Sequence, residues 1–187
     1  MRDYWQVWPA ALDAELCDKI IRTGLQYEVN EAGIGFGKDH KIDTDYRSSK
    51  IRWINKYEYF ISALVLYFAK EANRNALDMD IYDYVTELQF TEYNEEYKGK
   101  YNIHNDVNWL GDPVSERKLS VVFQLSDPNS YEGGKFSFNN IPNPSDNQFL
   151  PRGSVLVFPS FFDHYVTEVT AGTRYSLVSW VQGPKIR

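Results

Sequence analysis

The feature that most constrains this chain is its second half, where short runs of alternating apolar and polar residues follow one another from Tyr84 onward. Side chains on a strand alternate with period two, so each run has one face for a core and one for something else. The runs are Val85–Tyr93, Lys100–Asp106, Lys118–Leu125, Lys135–Phe138, Val155–Phe158, His164–Val169 and Arg174–Gln182. Turn signals divide them: Gly111-Asp112-Pro113, Asp127-Pro128-Asn129, Gly133-Gly134, Pro142 to Pro144, Arg152-Gly153 and Ala171-Gly172. Short strands at this spacing, behind helices, predict a mainly-β α+β fold. Its core is a double-sheet jelly roll with helices packed on one outer face.

The first half supplies the helices. Leu12–Gln26 sets Leu12, Leu16, Ile20 and Ile21 at helical spacing, with Asp13 and Glu15 near its start. Tyr57–Asn75 does the same with Phe60, Ile61, Leu64, Tyr67 and Phe68, and Ser49–Ile54 reads as a strand. Residues 28–48 are polar and hold Gly33, Gly35 and Gly37. No helix clearly follows and no Lys-Ser/Thr completes a phosphate loop, so a loop beside the site is expected. The run Asp78-Met79-Asp80-Ile81-Tyr82-Asp83 lacks the glycine and later glutamate of a calcium loop and reads as a solvated connection. The expected organisation is one domain over residues 1–187, with helical support over 1–83 and the jelly-roll core over 84–187.

Charge and composition narrow the function classes. The net charge of -6, without a Lys/Arg-rich run, argues against binding driven by nucleic-acid phosphates. Cys17 is the single cysteine, so no internal disulfide forms, and its amphipathic helical setting suggests a buried, inert thiol. The longest apolar run, Phe60 to Ala69, is too short to span a bilayer, and the first residues lack a signal-peptide stretch. A cytoplasmic protein without membrane partners is expected. The sequence sets no oligomeric state.

Strand faces locate a pocket. In Val85–Tyr93, Leu88 and Phe90 share one face while Gln89, Thr91 and Tyr93 share the other, which goes either to water or to a polar cavity. In Lys118–Leu125, Ser120, Val122 and Gln124 oppose Leu119, Val121, Phe123 and Leu125. In the last strand Arg174, Ser176, Val178 and Trp180 face one way, and Tyr175, Leu177, Ser179 and Val181 the other. If the first set lines the interior, Arg174 is a buried cation that needs a partner, because an unpaired one costs on the order of 3–5 kcal/mol. A substrate carboxylate meets that need and Gln124 can hydrogen-bond it. A structural ion pair or an outward-facing arginine is the alternative.

The chain holds three histidines, and two fall in a pattern: His104-Asn105-Asp106, then His164, then Arg174. His-x-Asp puts two side chains on one face of an extended strand, and a second histidine from a later strand completes two imidazoles and a carboxylate. That set leaves coordination positions open and suits non-haem Fe(II) that binds a cosubstrate and O2. With Arg174 as a fixed carboxylate clamp, the pattern points to an oxygenase.

These residues resemble a known family. Tyr93 through Tyr101-Asn102-Ile103-His104-Asn105-Asp106 is similar to the metal strand of prolyl-4-hydroxylase-type Fe(II)/2-oxoglutarate dioxygenases. Arg117 to Asp127 and Glu132-Gly133-Gly134-Lys135-Phe136-Ser137-Phe138 resemble their next two strands. Leu150 to Ser160 and the stretch from His164 to Tyr175 resemble their C-terminal block. The likeness is to the bacterial and phage branch called PKHD-type hydroxylases. It covers residues 84–182 most strongly and extends to Arg47-Ser48-Ser49-Lys50-Ile51-Arg52-Trp53.

The resemblance implies a double-stranded β-helix in which His104, Asp106 and His164 bind Fe(II), with no catalytic residue beyond the metal centre. It implies that Arg174 holds the distal carboxylate of 2-oxoglutarate, with Tyr93 and Gln124 as further cosubstrate contacts and Trp180 as an aromatic wall. Many relatives carry tyrosine where Gln124 stands, which alters the contact geometry. Tyr93 and Trp180 also read as plain core residues. O2 is the second cosubstrate, ascorbate a stimulant, and the products are a hydroxylated substrate, succinate and CO2. The implied substrate is a peptidyl proline in a peptide or protein, the alternatives being a free amino acid, another small molecule or a non-catalytic binding module. Residues 30–47 and Asn108–Glu116 are candidate lids. Trp109 and Arg117 are candidate substrate contacts, for a ring and for backbone, or else ordinary surface residues.

Overall fold

A computed structural model describes residues 3–33, 42–109 and 111–185. In chain order the described elements begin with β1 (Gln6–Trp8), α1 (Ala14–Leu25), β2 (Asn30–Glu31), β3 (Arg47–Ser48), β4 (Lys50–Ile54) and α2 (Tyr59–Ala72). The second half holds β5 (Val85–Asn94), β6 (Lys100–His104), β7 (Ser115–Gln124), β8 (Tyr131–Gly133) and β9 (Phe136–Phe138). It closes with α3 (Asp146–Phe149), β10 (Val155–Pro159), β11 (His164–Val166) and β12 (Val169–Pro184).

The strands form the two antiparallel sheets expected of a mainly-β α+β fold. The larger runs β1-β10-β7-β12-β5-β4-β2, with β8 paired to the start of β12; the smaller runs β3-β6-β11-β9. The 16-residue β12 is the longest strand, and it starts earlier than the expected Arg174. Its first residues pair with β8 and the rest insert between β5 and β7.

The alternation read from the strands holds. Leu88, Phe90, Leu119, Val121, Phe123, Leu125, Leu177 and Val181 face outward into a core completed by Cys17, Ile20, Ile61, Val65 and Phe68 of the helices. Tyr93, Val122, Phe136, Phe138, Phe158 and Val166 face inward and pack between the sheets. The outer layer is tight: a Cβ at Gly24 of α1 would sit 2.5 Å from the Phe90 ring, so only glycine lets this helix lie so close to β5.

The helices differ from their sequence reading in detail. Asp13 caps α1, its carboxylate accepting from Leu16 N at 2.8 Å, and Leu12 precedes the helix. Continuous helix was expected to Asn75, but α2 ends at Ala72 and widens into a single π turn over Asn73–Leu77. The buried face of α2 is Ile61, Val65, Phe68, Ala69 and Ala72, which leaves Tyr67 exposed rather than on the apolar side. Small alanines allow close approach to the sheet, and a tyrosine there would not fit. Cys17 is buried with its thiol pKa raised, burial being the chief cause. Among the described residues no helix is long and apolar enough to cross a membrane.

Candidate active site and metal centre

The smaller sheet brings the three sequence-predicted metal ligands together. His104 closes β6, His164 opens β11, and the two are direct cross-strand partners. Asp106 does not share a regular strand face with His104 as expected, because β6 ends at His104. Instead Asp106 N donates to Ser160 O at 2.8 Å, which turns the chain inward. The carboxylate then lies 3.9 Å from His104 Nε2 through Oδ1 and 3.6 Å from His164 Nε2 through Oδ2. The candidate ligand atoms all lie within 4.8 Å of one another.

Local contacts aim both imidazoles. Nδ1 of His104 lies 2.8 Å from Asn102 O, and Nδ1 of His164 lies 2.9 Å from Phe162 O. A carbonyl only accepts, so Nδ1 carries the proton and the Nε2 lone pair is left for a metal. The Tyr101 ring stacks on His104 at 3.4 Å and Phe136 on His164 at 5.3 Å, fixing the ring planes. Burial, reinforced by His164, drives the His104 imidazole down to about 3, so it is neutral at ordinary pH.

Asp106 stays ionised. Burial opposes its charge, but His164, His104, Arg117 and a hydrogen bond from Ser120 outweigh it and hold the carboxyl below its usual range. Ser120 Oγ donates to Asp106 Oδ2 at 2.6 Å and lies 2.9 Å from Ser160 Oγ. Sequence reasoning missed Ser120 as a ligand support, although it placed the residue on the inner face. Two aimed neutral imidazoles and one ionised carboxylate fit an open-sided Fe(II) site.

The triad forms one wall of a cavity of about 490 Å³, and the larger sheet forms the facing wall with Tyr93, Val122, Arg174, Ser176, Val178 and Trp180. Arg174 is 2% exposed, and among the described residues no acid pairs with it. Its Nε donates to Gln124 Oε1 at 3.1 Å and its guanidinium lies 5.6 Å from the Tyr93 ring. Two other cations of the same strands and turns are engaged elsewhere, Lys118 with Glu116 and Arg152 with Asp18. At Gly134 (φ +58) a Cβ would stand 3.1 Å from Arg174 Cδ, so this glycine leaves room for the arginine stem.

Gln124 stands behind Arg174 and not on the wall of this cavity. Its Nε2 donates to the Tyr131 hydroxyl at 2.6 Å, which turns Oε1 toward the arginine. The chain thus holds Arg174 from behind through Gln124 and Tyr131. Tyr131 had no sequence signal beyond its place before Glu132-Gly133-Gly134. Tyr93 is buried, and burial, only partly offset by Arg47 and Arg174, raises its pKa, leaving a neutral phenol.

Trp180 lines the cavity, with the Arg117 guanidinium 3.6 Å over its ring and Glu87 paired to Arg117. Trp109 is 51% exposed, is absent from the lining and meets Lys185 through its carbonyl. Of the candidate lids, residues 34–41 and residue 110 lie outside the described residues, which leaves the lid expectation there; Gly33, Tyr46 and Arg47 do line the cavity.

Comparison with known proteins decides the family. Residues 88–182, half of the chain, match the 2OG-Fe(II) oxygenase superfamily. The chain belongs to that superfamily. Fe(II) and 2-oxoglutarate are the cofactors this membership implies, and His104, Asp106 and His164 form a cluster that could hold the metal. A PKHD-type hydroxylase of Prochlorococcus marinus is 36% identical over 91 residues, covering 48% of this chain and 40% of its own length. One of Hyphomonas neptunium is 37% identical over 81 residues, covering 43% and 36%. This oxygenase therefore matches less than half the length of those relatives.

Solved structures share the fold. A Pseudomonas putida prolyl-4-hydroxylase superposes with a TM-score of 0.69 at 20% identity, covering 96% of this chain and 92% of that one. A viral collagen prolyl hydroxylase from Paramecium Bursaria Chlorella virus-1, in its 2OG complex, gives 0.68 at 16% identity, covering 97% of both. A Trichoplax adhaerens prolyl hydroxylase in complex with a hypoxia inducible factor peptide fragment gives 0.73 at 17% identity, covering 95% and 83%.

Proposed function

We propose that this oxygenase hydroxylates a C–H bond of a peptidyl proline, using Fe(II), 2-oxoglutarate and O2 and releasing succinate and CO2. The observation that carries the reading is the pairing, across one cavity, of the triad with the buried and acid-free Arg174. Iron held there would supply the O2-dependent chemistry in which oxidative decarboxylation of 2-oxoglutarate takes one oxygen atom of O2 into succinate and the other goes to the substrate.

The residues supply position, charge and shielding. His104, Asp106 and His164 hold the metal by Nε2 and carboxylate oxygen. Arg174 takes the distal carboxylate of the cosubstrate, a charged hydrogen bond worth roughly 1.5–3 kcal/mol. Tyr93 donates its phenol proton to the same ligand, and Gln124 serves it indirectly by orienting Arg174. Trp180 forms an aromatic wall near the cosubstrate, and Arg117, held over its ring, meets substrate backbone. Trp109 bears on this only for a substrate long enough to leave the cavity. The peptide reading draws support from structural neighbours that are prolyl hydroxylases, one with a bound peptide.

Two measurements test it. Succinate release with Fe(II) and 2-oxoglutarate tests the chemistry, and a peptide array scored by mass gain of one oxygen atom tests the substrate. Succinate without any modified peptide would move the assignment to a free amino acid or other small molecule. Iron binding without succinate under any condition would leave a binding module.

A further inference from the structure

The cavity contains a second buried arginine that forms no ion pair among the described residues. Arg47, on the edge strand β3, is 6% exposed and lines the same cavity as the triad. Its Nε donates to Ser49 Oγ at 3.0 Å and its Nη1 to Gly33 O at a long 3.4 Å. Nη2 is buried and has no hydrogen-bond partner. Among the described residues no carboxylate pairs with Arg47, whereas Arg117 in the same cavity has Glu87. A buried guanidinium left in this state is costly, and an acceptor oxygen removes the cost.

The position of Arg47 separates it from the cosubstrate clamp. Its guanidinium lies 4.2 Å over the Tyr101 ring, and Tyr101 stacks on His104 at 3.4 Å, so this cation reaches the metal centre through the smaller sheet. Arg174 reaches it from the larger one. 2-Oxoglutarate has one carboxylate for the metal and one for Arg174. None is left for Arg47.

A charge count agrees. Among the described lining residues, Arg47, Arg117 and Arg174 stand against Glu87 and Asp106, leaving one positive charge. Ferrous iron adds two and 2-oxoglutarate removes two, so one positive charge remains when the substrate arrives. The surrounding chain carries a net charge of -6, so this local excess is a property of the cavity.

We propose that the substrate carries a carboxylate and that Arg47 receives it, beside the carbon that is hydroxylated. This rests on the oxygenase reading above and narrows its substrate class. The carboxylate has two sources: an aspartate or glutamate next to the target residue of a peptide, or the α-carboxylate of a C-terminal or free amino acid.

Matched pairs that differ by one carboxylate separate these sources. End-blocked peptides containing Pro-Asp or Asp-Pro are compared with their Asn forms. A blocked peptide ending in proline is compared with its amide, and free proline with prolinamide. Dissociation constants are measured by calorimetry without O2, on protein loaded with Fe(II) and 2-oxoglutarate; turnover of the same compounds is followed by mass.

The expected result is one acid form binding more than tenfold tighter than its amide, with the difference lost in Arg47→Gln and partly kept in Arg47→Lys. The dissociation constant for 2-oxoglutarate is expected to be unchanged in both variants. The proposal is overturned if no pair separates in the native protein, absence of all binding included. It is equally overturned if the preference survives in Arg47→Gln, or if that variant weakens 2-oxoglutarate instead. The native protein alone decides the first point, so misfolding of a variant leaves the test intact. Succinate formation is the control: its presence with no acid preference sinks only the Arg47 assignment, and its absence both without substrate and with every compound sinks the oxygenase reading.

Discussion

The two faces of the larger sheet, formed by the same strands, obey different rules. On the helix side, Phe90, Phe123 and Leu177 are fully buried in a continuous apolar layer with α1 and α2. On the cavity side, Tyr93, Arg174, Ser176 and Trp180 surround open space. The outer face spends its residues on packing and is satisfied by the chain itself. Among the described residues the inner face keeps Arg174 free of acidic partners and leaves Trp180 Nε1 buried without a hydrogen bond. The sheet thus separates the residues that hold the fold from those that wait for a ligand, a division that mutation can break.

The largest effect is expected at the metal. His104→Ala abolishes iron-dependent succinate release while the circular dichroism spectrum stays native; retained activity would remove His104 from the ligand set. On the opposite face Phe90→Ala empties a site packed against Gly24 and Tyr175. It lowers unfolding free energy in denaturant titration by about 3–5 kcal/mol, with an unaltered KM for 2-oxoglutarate in the folded fraction. A changed KM would show that the faces are coupled. Arg174→Ala is expected to do the converse, raising that KM by more than about tenfold, each tenfold being about 1.4 kcal/mol, at near-native stability.

Smaller effects lie behind the cavity wall. Tyr131→Phe removes the 2.6 Å acceptor of Gln124 Nε2, leaves it only the long 3.5 Å contact to Ser126 O, and so loosens the hold of the amide on Arg174. The expected outcome is a rise of about two- to fivefold in the 2-oxoglutarate dissociation constant, below the roughly 1.4 kcal/mol of a tenfold change, with kcat retained. An equal loss in kcat would assign Tyr131 a different role. The gentlest lever is acidity. The His104 pKa falls to about 3 in the folded chain, from 6.5. The unfolded state therefore binds more protons between those values, and stability is present above about 6.5 and declines as pH falls through that window. Metal-stripped protein is expected to melt lower at pH 5 than at pH 7, with a shallower slope in His104→Gln; a flat profile in the native protein would contradict this.

Whatever depends on strand parity was legible in the sequence. Leu88 and Phe90 against Tyr93, and Leu177 against Arg174, follow from a two-residue period that no tertiary contact can change. What escaped depended on partners far away in the chain. Asp106 was placed on a strand that ends before it, because the contact that turns it inward comes from Ser160. Gln124 was expected to face a ligand, but its amide is oriented by Tyr131, whose nearness no local pattern announces. Arg47 was noticed only within a family-like run, since its isolation is a matter of which acids are missing around it. Trp109 carried the right chemistry for a substrate wall and lies off the cavity.

β12 has a further consequence. Arg174, Ser176, Val178 and Trp180 share its inner face at even intervals, with Leu177 and Val181 on the outer. Adding or deleting one residue between Arg174 and Trp180 swaps the faces beyond that point. It would drive either the arginine or the tryptophan into the apolar layer under the helices. Descendants of this chain can therefore lengthen or shorten this stretch only in steps of two or by absorbing the odd residue in a bulge. The spacing between its anion clamp and its aromatic wall is thus among the slowest features of the enzyme to drift.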